Sequence, residues 1–129
     1  MAEPFVFIGR HRIREGKLDE FRKEFAELVE VVEANEPRMI AFNGYLNEDE
    51  TEMSIVQVHP DADSMLLHMR VAREHITRGS EELLDTKDIQ IYGTPNDTVI
   101  GMIEELSQSG VPLIIKPNHL GGLTRPNAG

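Results

Sequence analysis

The chemistry this sequence could do is concentrated in its histidines. His59 and His68 stand nine residues apart, on either side of the break Pro60-Asp61-Ala62-Asp63-Ser64. His59 closes an apolar run and His68 falls within the amphipathic segment that follows. Two imidazoles are therefore delivered to one corner from two different elements. A free imidazole titrates near pH 6.5, so either ring could accept a proton at neutral pH. That is general-base chemistry, such as taking the proton from a phenolic hydroxyl. His68 is the first candidate for it, its alternative being a flank histidine bonded to backbone or solvent. His59 could pair with His68 or orient a substrate hydroxyl, its alternative being a partly exposed strand end.

Other polar side chains could bind what these histidines act on. Asn43 and Tyr45 share one side of a second apolar run, and Gln57 lies on the run that ends in His59. Together they could offer donors and acceptors to a substrate carbonyl, although Tyr45 could equally pack with its hydroxyl at the rim. A metal site is the rival chemistry, given five histidines and many acids. His68 and His75, however, are two helical turns apart, not at the i, i+4 spacing of helical metal sites, and no metal is expected. Neither a phosphate-binding glycine loop nor a nucleophile elbow is present.

The elements that must position these residues follow from periodicity. Residues 4–13 read as a first strand, rich in Phe, Val and Ile. Over residues 17–36, Leu18, Phe21, Phe25, Leu28, Val29 and Val32 recur every three or four positions, which predicts a helix stopped by Pro37. Residues 38–46 and 52–59 read as two strands joined by the acidic loop 47–51, an antiparallel hairpin. A second helix is expected over 64–84, with Asp63 or Ser64 as its N-cap and a kink or end at Gly79. Residues 88–92 give a fourth strand.

The order is β-α-β-β-α-β, the ferredoxin-like pattern of an antiparallel sheet with both helices on one face. Beyond Gly93, residues 96–109 predict a third helix with Gly110 as its C′ stop, and 111–116 a short edge strand. The expected organisation is a domain over 1–93, with a helix-strand extension over 94–129 packed on it.

Composition narrows the partners. The 129 residues carry a net charge of −10, with eight acids against three bases between Glu15 and Glu36. Such faces repel polyanions, so neither nucleic acid nor an anionic membrane surface is an expected partner. Arg10, Arg12 and Arg14 alternate on the first strand and read as an ion-pair row or solvated edge. There is no cysteine, which excludes disulfides and thiol chemistry. The N-terminus lacks the pattern of a secretory signal, and a cytoplasmic location is expected. Strand three is largely apolar on both sides, so the sheet face without helices needs a cover, and a second copy of the chain is expected to supply it.

With these elements in place, the chain resembles the antibiotic biosynthesis monooxygenase family of the dimeric α/β-barrel superfamily. The resemblance spans residues 4–93. It rests on the element order, the Glu36-Pro37 break, the acidic hairpin and the corner from strand three into helix two. Members commonly carry an acid and then a Trp at the end of strand three, with a His nine residues after the Trp. His68 stands at that His, His59 at the Trp position, and Gln57 or Val58 at the acidic one. The resemblance implies an α+β subunit that pairs into a dimeric barrel. It also implies oxidation of a small phenol or quinol by dioxygen, with no metal or bound cofactor; the alternative on the same fold is a non-catalytic homodimer that binds a small molecule or regulates. Haem-degrading relatives add an Asn on strand one. Here that strand offers Gly9 and His11 instead, so haem is not expected and His11 is a further substrate-binding candidate.

Overall fold

The chain is described by a computed structural model covering residues 3–125. Strands β1 (Phe5–Ile13), β2 (Ala41–Leu46), β3 (Glu52–His59) and β4 (Leu84–Tyr92) form an antiparallel sheet in the order β2-β3-β1-β4. A fifth strand, β5 (Leu113–Lys116), adds to β4 in parallel, and the sheet of a single chain is not closed. The helices are α1 (Leu18–Asn35), α2 (Ala62–Val71), α3 (Arg73–Arg78) and α4 (Asp97–Leu106). The architecture is the ferredoxin-like α+β arrangement, with an extra helix and edge strand. Among the described residues no helix is long and apolar enough to cross a membrane.

One face of the sheet carries the core. Phe5, Ile89 and Ile91 pack against Met65 and Met69 of α2 and Val99 and Ile103 of α4. Ile13, Met53 and Leu84 pack against Phe21 of α1. Leu28 and Val32 of α1 meet Ala72 at the α2–α3 junction. Burying each large apolar side chain contributes about 1.5–3 kcal/mol, which is what holds three helices on one side of the sheet. The opposite face is uncovered. There Val6, Ile8, Val56 and Val58 are half-buried, and Tyr45 is 61% exposed.

Four local features depart from the periodicity. The N-cap of α2 is Asp61, whose carboxylate accepts from the Ser64 amide, because the Ser64 hydroxyl is turned inward to His59. The second helix is not continuous to residue 84. It breaks at Ala72, and from Gly79 to Leu83 the chain forms a π-helical turn that feeds β4. Strand β4 accordingly starts at Leu84, four residues earlier than its apolar run suggests. Helix α4 stops at Leu106 rather than at Gly110. The cause is Gln108, whose amide nitrogen donates to the Ser80 and Leu84 carbonyls while its oxygen accepts from the Thr86 amide. This side chain latches the C-terminal segment onto the start of β4.

Candidate active site

The corner from β3 into α2 holds two separate buried polar groups. The first is a chain of three side chains. His59 Nδ1 lies 2.7 Å from Ser64 Oγ, and its Nε2 lies 3.0 Å from Gln57 Oε1. Gln57 Oε1 can only accept, so Nε2 carries the proton and Nδ1 accepts from the Ser64 hydroxyl. Burial pushes the His59 ring down to about 3, with the nearby His68 adding to the effect, so it stays neutral at physiological pH. With both nitrogens occupied and no exposure, His59 has nothing left to offer a substrate. Its visible effect is to fix the Gln57 amide.

The second group is the pair Glu36–His68. The Glu36 carboxylate lies 3.0 and 3.1 Å from His68 Nδ1, and both side chains are 2% exposed. A carboxylate accepts, so Nδ1 carries the proton and the lone pair of the neutral ring sits on Nε2. Among the described residues no side-chain nitrogen or oxygen is both buried and without a partner. His68 Nε2 and the Gln57 amide nitrogen make no hydrogen bond among the described residues, so both have accessible surface. Both residues line one cavity of about 110 Å³ between the sheet and the helices. On the scale of buried sites this has room for several waters or a small ring. Phe42 stands 5.3 Å from the His68 ring, and Phe7, Met65 and Met69 add to a mainly apolar lining. An imidazole lone pair in such surroundings, beside one amide donor, can accept a proton from a bound hydroxyl.

His11 also lines this cavity. Its Nδ1 lies 2.9 Å from Thr86 Oγ1, and burial holds the ring at about 4, hence neutral. Gly9 makes room for it, since a Cβ there would sit 2.9 Å from His11 Nε2. His11, Gln57 and His68 therefore share one chamber. Asn43 and Tyr45 do not join them. The β2 residue opposite Gln57 is Phe42, so strand alternation sends Asn43 and Tyr45 to the uncovered face, opposite Val56 and Ser54. The expected cluster of Asn43, Tyr45 and Gln57 is split by the sheet itself. Tyr45 borders a separate shallow depression at the β2 edge with Arg22 and Phe25.

Sequence reasoning missed Glu36 as a site residue and treated it only as the residue before a helix-breaking proline. A signal was present. Glu36 stands four residues after Val32, so it continues the inward stripe of α1 with an acid. Glu24 does the same between Phe21 and Leu28, and it too is buried. The arginine row resolves into ion pairs: Arg10 with Asp88 and Arg14 with Asp85.

No protein-family model matches the chain, and no curated protein matches it. Solved structures do. MupZ from Pseudomonas fluorescens is 18% identical and superposes over 100% of this chain and 94% of its own, with a TM-score of 0.71. A conserved protein from Methanosarcina mazei Go1 is 22% identical, over 69% of this chain and 90% of its own, with a TM-score of 0.61. A protein provisionally named an antibiotic biosynthesis monooxygenase, from Chloroflexus aurantiacus J-10-fl, is 13% identical over 69% and 90%, with a TM-score of 0.58. The MupZ match therefore takes in the C-terminal helix and strand. At these identities the likeness speaks to architecture: this chain has the fold of the structures named as antibiotic biosynthesis monooxygenases.

Proposed function

We propose that the cavity is an active site in which His68, oriented by Glu36, takes a proton from a small hydroxylated substrate. The observation that carries this reading is the buried carboxylate–imidazole pair whose free nitrogen reaches the one chamber shared with Gln57 and His11. Gln57, fixed by His59 and Ser64, donates to an oxygen of the substrate. His11, neutral and anchored by Thr86, contributes a further hydrogen bond.

The finer reading is a monooxygenase acting on a phenol or quinol, supported by the names of structures that share the fold. Deprotonation gives an electron-rich anion that reacts with dioxygen. For a phenol, one oxygen atom enters the ring and the other leaves as water with the two displaced hydrogens, giving a quinone. The reading includes a homodimer, in which a second copy covers Val6, Ile8, Val56 and Val58, and a location in the cytoplasm. The test is oxygen consumption by the purified chain with a panel of phenols and hydroquinones. Uptake matched by one equivalent of quinone per dioxygen supports monooxygenation of a phenol, and no uptake with any member counts against it.

A second reading rests on the geometry alone, since the Glu36–His68 pair and the Gln57 donor need no oxidant to act. On it the same pair moves a proton without consuming oxygen. Turnover that persists under anaerobic conditions would select this reading.

A further inference from the structure

A second carboxylate–imidazole pair faces the same cavity, on α3. His75 Nδ1 lies 2.5 Å from Glu24 Oε1, and the other oxygen of Glu24 accepts from Arg78 at 2.8 Å. Glu24 belongs to the inward stripe of α1 and is only 8% exposed. The construction repeats that of Glu36–His68: an acid on α1 or at its C-cap holds Nδ1, which leaves the lone pair of the neutral ring on Nε2. His75 Nε2 makes no hydrogen bond within the described chain. His75 and Glu24 both line the cavity already assigned to His68.

His68 and His75 do not stand on one helix: seven residues of sequence and the break at Ala72 lie between them, so one ring enters the cavity from α2 and the other from α3. Nor do they gather with a third side chain, since no three His, Asp or Glu residues among those described could hold a metal ion together. Two lone pairs that enter one apolar chamber from different helices fit a ligand that carries hydrogen-bonding groups at both ends.

We propose that His75 is a second substrate-contacting residue, and that the substrate is a small ring with hydroxyls at opposite ends, one on His68 and the other on His75. This rests on the reading of the cavity as the His68 site. Arg78 shares Glu24 and thereby fixes the carboxylate that aims His75, which makes both positioning residues. A purely structural role for the trio, tying α3 to α1, would leave ligand preference untouched.

The test is a titration of the full-length chain with hydroquinone and with phenol, following the ring carbon-bound protons of the histidines by NMR. Hydroquinone is expected to shift His68 and His75 with one common Kd, and to bind about tenfold tighter than phenol, the worth of roughly one hydrogen bond. Phenol is expected to shift one of the two rings only. In His75→Leu the two ligands should bind within about twofold of each other, and His75→Gln should restore part of the preference. If His68 moves and His75 does not, or if the wild-type chain binds both ligands alike, the proposal falls while the His68 site stands. If neither ring moves with either ligand, both fall. The wild-type spectra decide the matter even where a variant does not fold.

Discussion

The two faces of the β1–β3 ribbon make an instructive pair, because they are built from alternating residues of the same strands. On the covered face lie Phe7, His11, Gln57 and His59; on the other lie Val6, Ile8, Arg10, Val56 and Val58. The covered face buries imidazoles and an amide at the end of an apolar core, each held by a specific partner. The open face is aliphatic at its centre, with the pair Arg10–Asp88 toward one end. Polar groups on the first face are costly to bury and are all bonded or open to the cavity. On the second, Arg10 is exposed and the buried Asp88 is satisfied by its guanidinium. The proposed active site therefore draws on the first face, and the proposed homodimer on the second.

The largest effect that would break this contrast is catalytic. His68→Gln should keep a hydrogen bond to Glu36, retain the fold, and lower turnover by about 100-fold or more, as expected on losing a general base. Glu36→Gln should lower it less, since the amide oxygen can still accept from Nδ1. Steady-state rates, with circular dichroism as the control for folding, check both.

Next in size is stability. His59→Leu leaves Gln57 Oε1 and Ser64 Oγ buried without their partner, which should cost about 2–4 kcal/mol in a denaturant titration.

Acid sharpens the contrast between the faces. His59 and His11 stay neutral in the fold, held at about 3 and about 4, while their unfolded value is 6.5. Between those limits the unfolded chain binds more protons, so stability is fully present above pH 6.5 and is lost as pH falls toward 4. The slope should approach about 1.4 kcal/mol per pH unit for each histidine. On the open face, the hydrogen bond from Arg10 holds Asp88 below its ordinary 3.8, so its contribution is lost only below that value. Denaturant midpoints from pH 7 to 3 should show the histidine slope, and His59→Leu should remove part of it.

The smallest effects belong to the open face. Asn43→Ala and Tyr45→Ala should change stability by about 0.5 kcal/mol or less, in line with surface substitutions, and leave turnover per site unchanged. Val56→Asp should instead shift the molecular mass in solution from dimer to monomer, measured by light scattering. A strong loss of turnover in Asn43→Ala would break the assignment of the two faces.

The order of elements was readable because helix and strand periodicities dominate this chain: the stripe of α1, the acidic hairpin and the edge strand behind Pro112 all stand where the pattern places them. The corner holding His59 and His68 was readable as a place but not as a geometry. That His59 is enclosed depends on Ser64, whose hydroxyl turns inward while Asp61 takes over the cap. The partner of His68 is 32 positions away in sequence, and no local pattern links the two. The π-helical turn was foreshadowed only by Gly79, and the Gln108 side chain that bonds its Ser80 carbonyl and the Leu84 carbonyl comes from the distant extension. Asn43 and Tyr45 share a side with each other, but only the register of β2 on β3 shows that Gln57 is on the far side.

In the proposed site a bound hydroxyl loses its proton to His68. A chromogenic nitrophenol reports this directly, because its anion absorbs where the neutral form does not. Bound to the chain at a pH where the free probe is mostly neutral, it should show the anion spectrum, strongly reduced in His68→Gln and reduced less in Glu36→Gln. A probe that binds the cavity yet keeps its neutral spectrum, or an anion signal unchanged in His68→Gln, would contradict the claim.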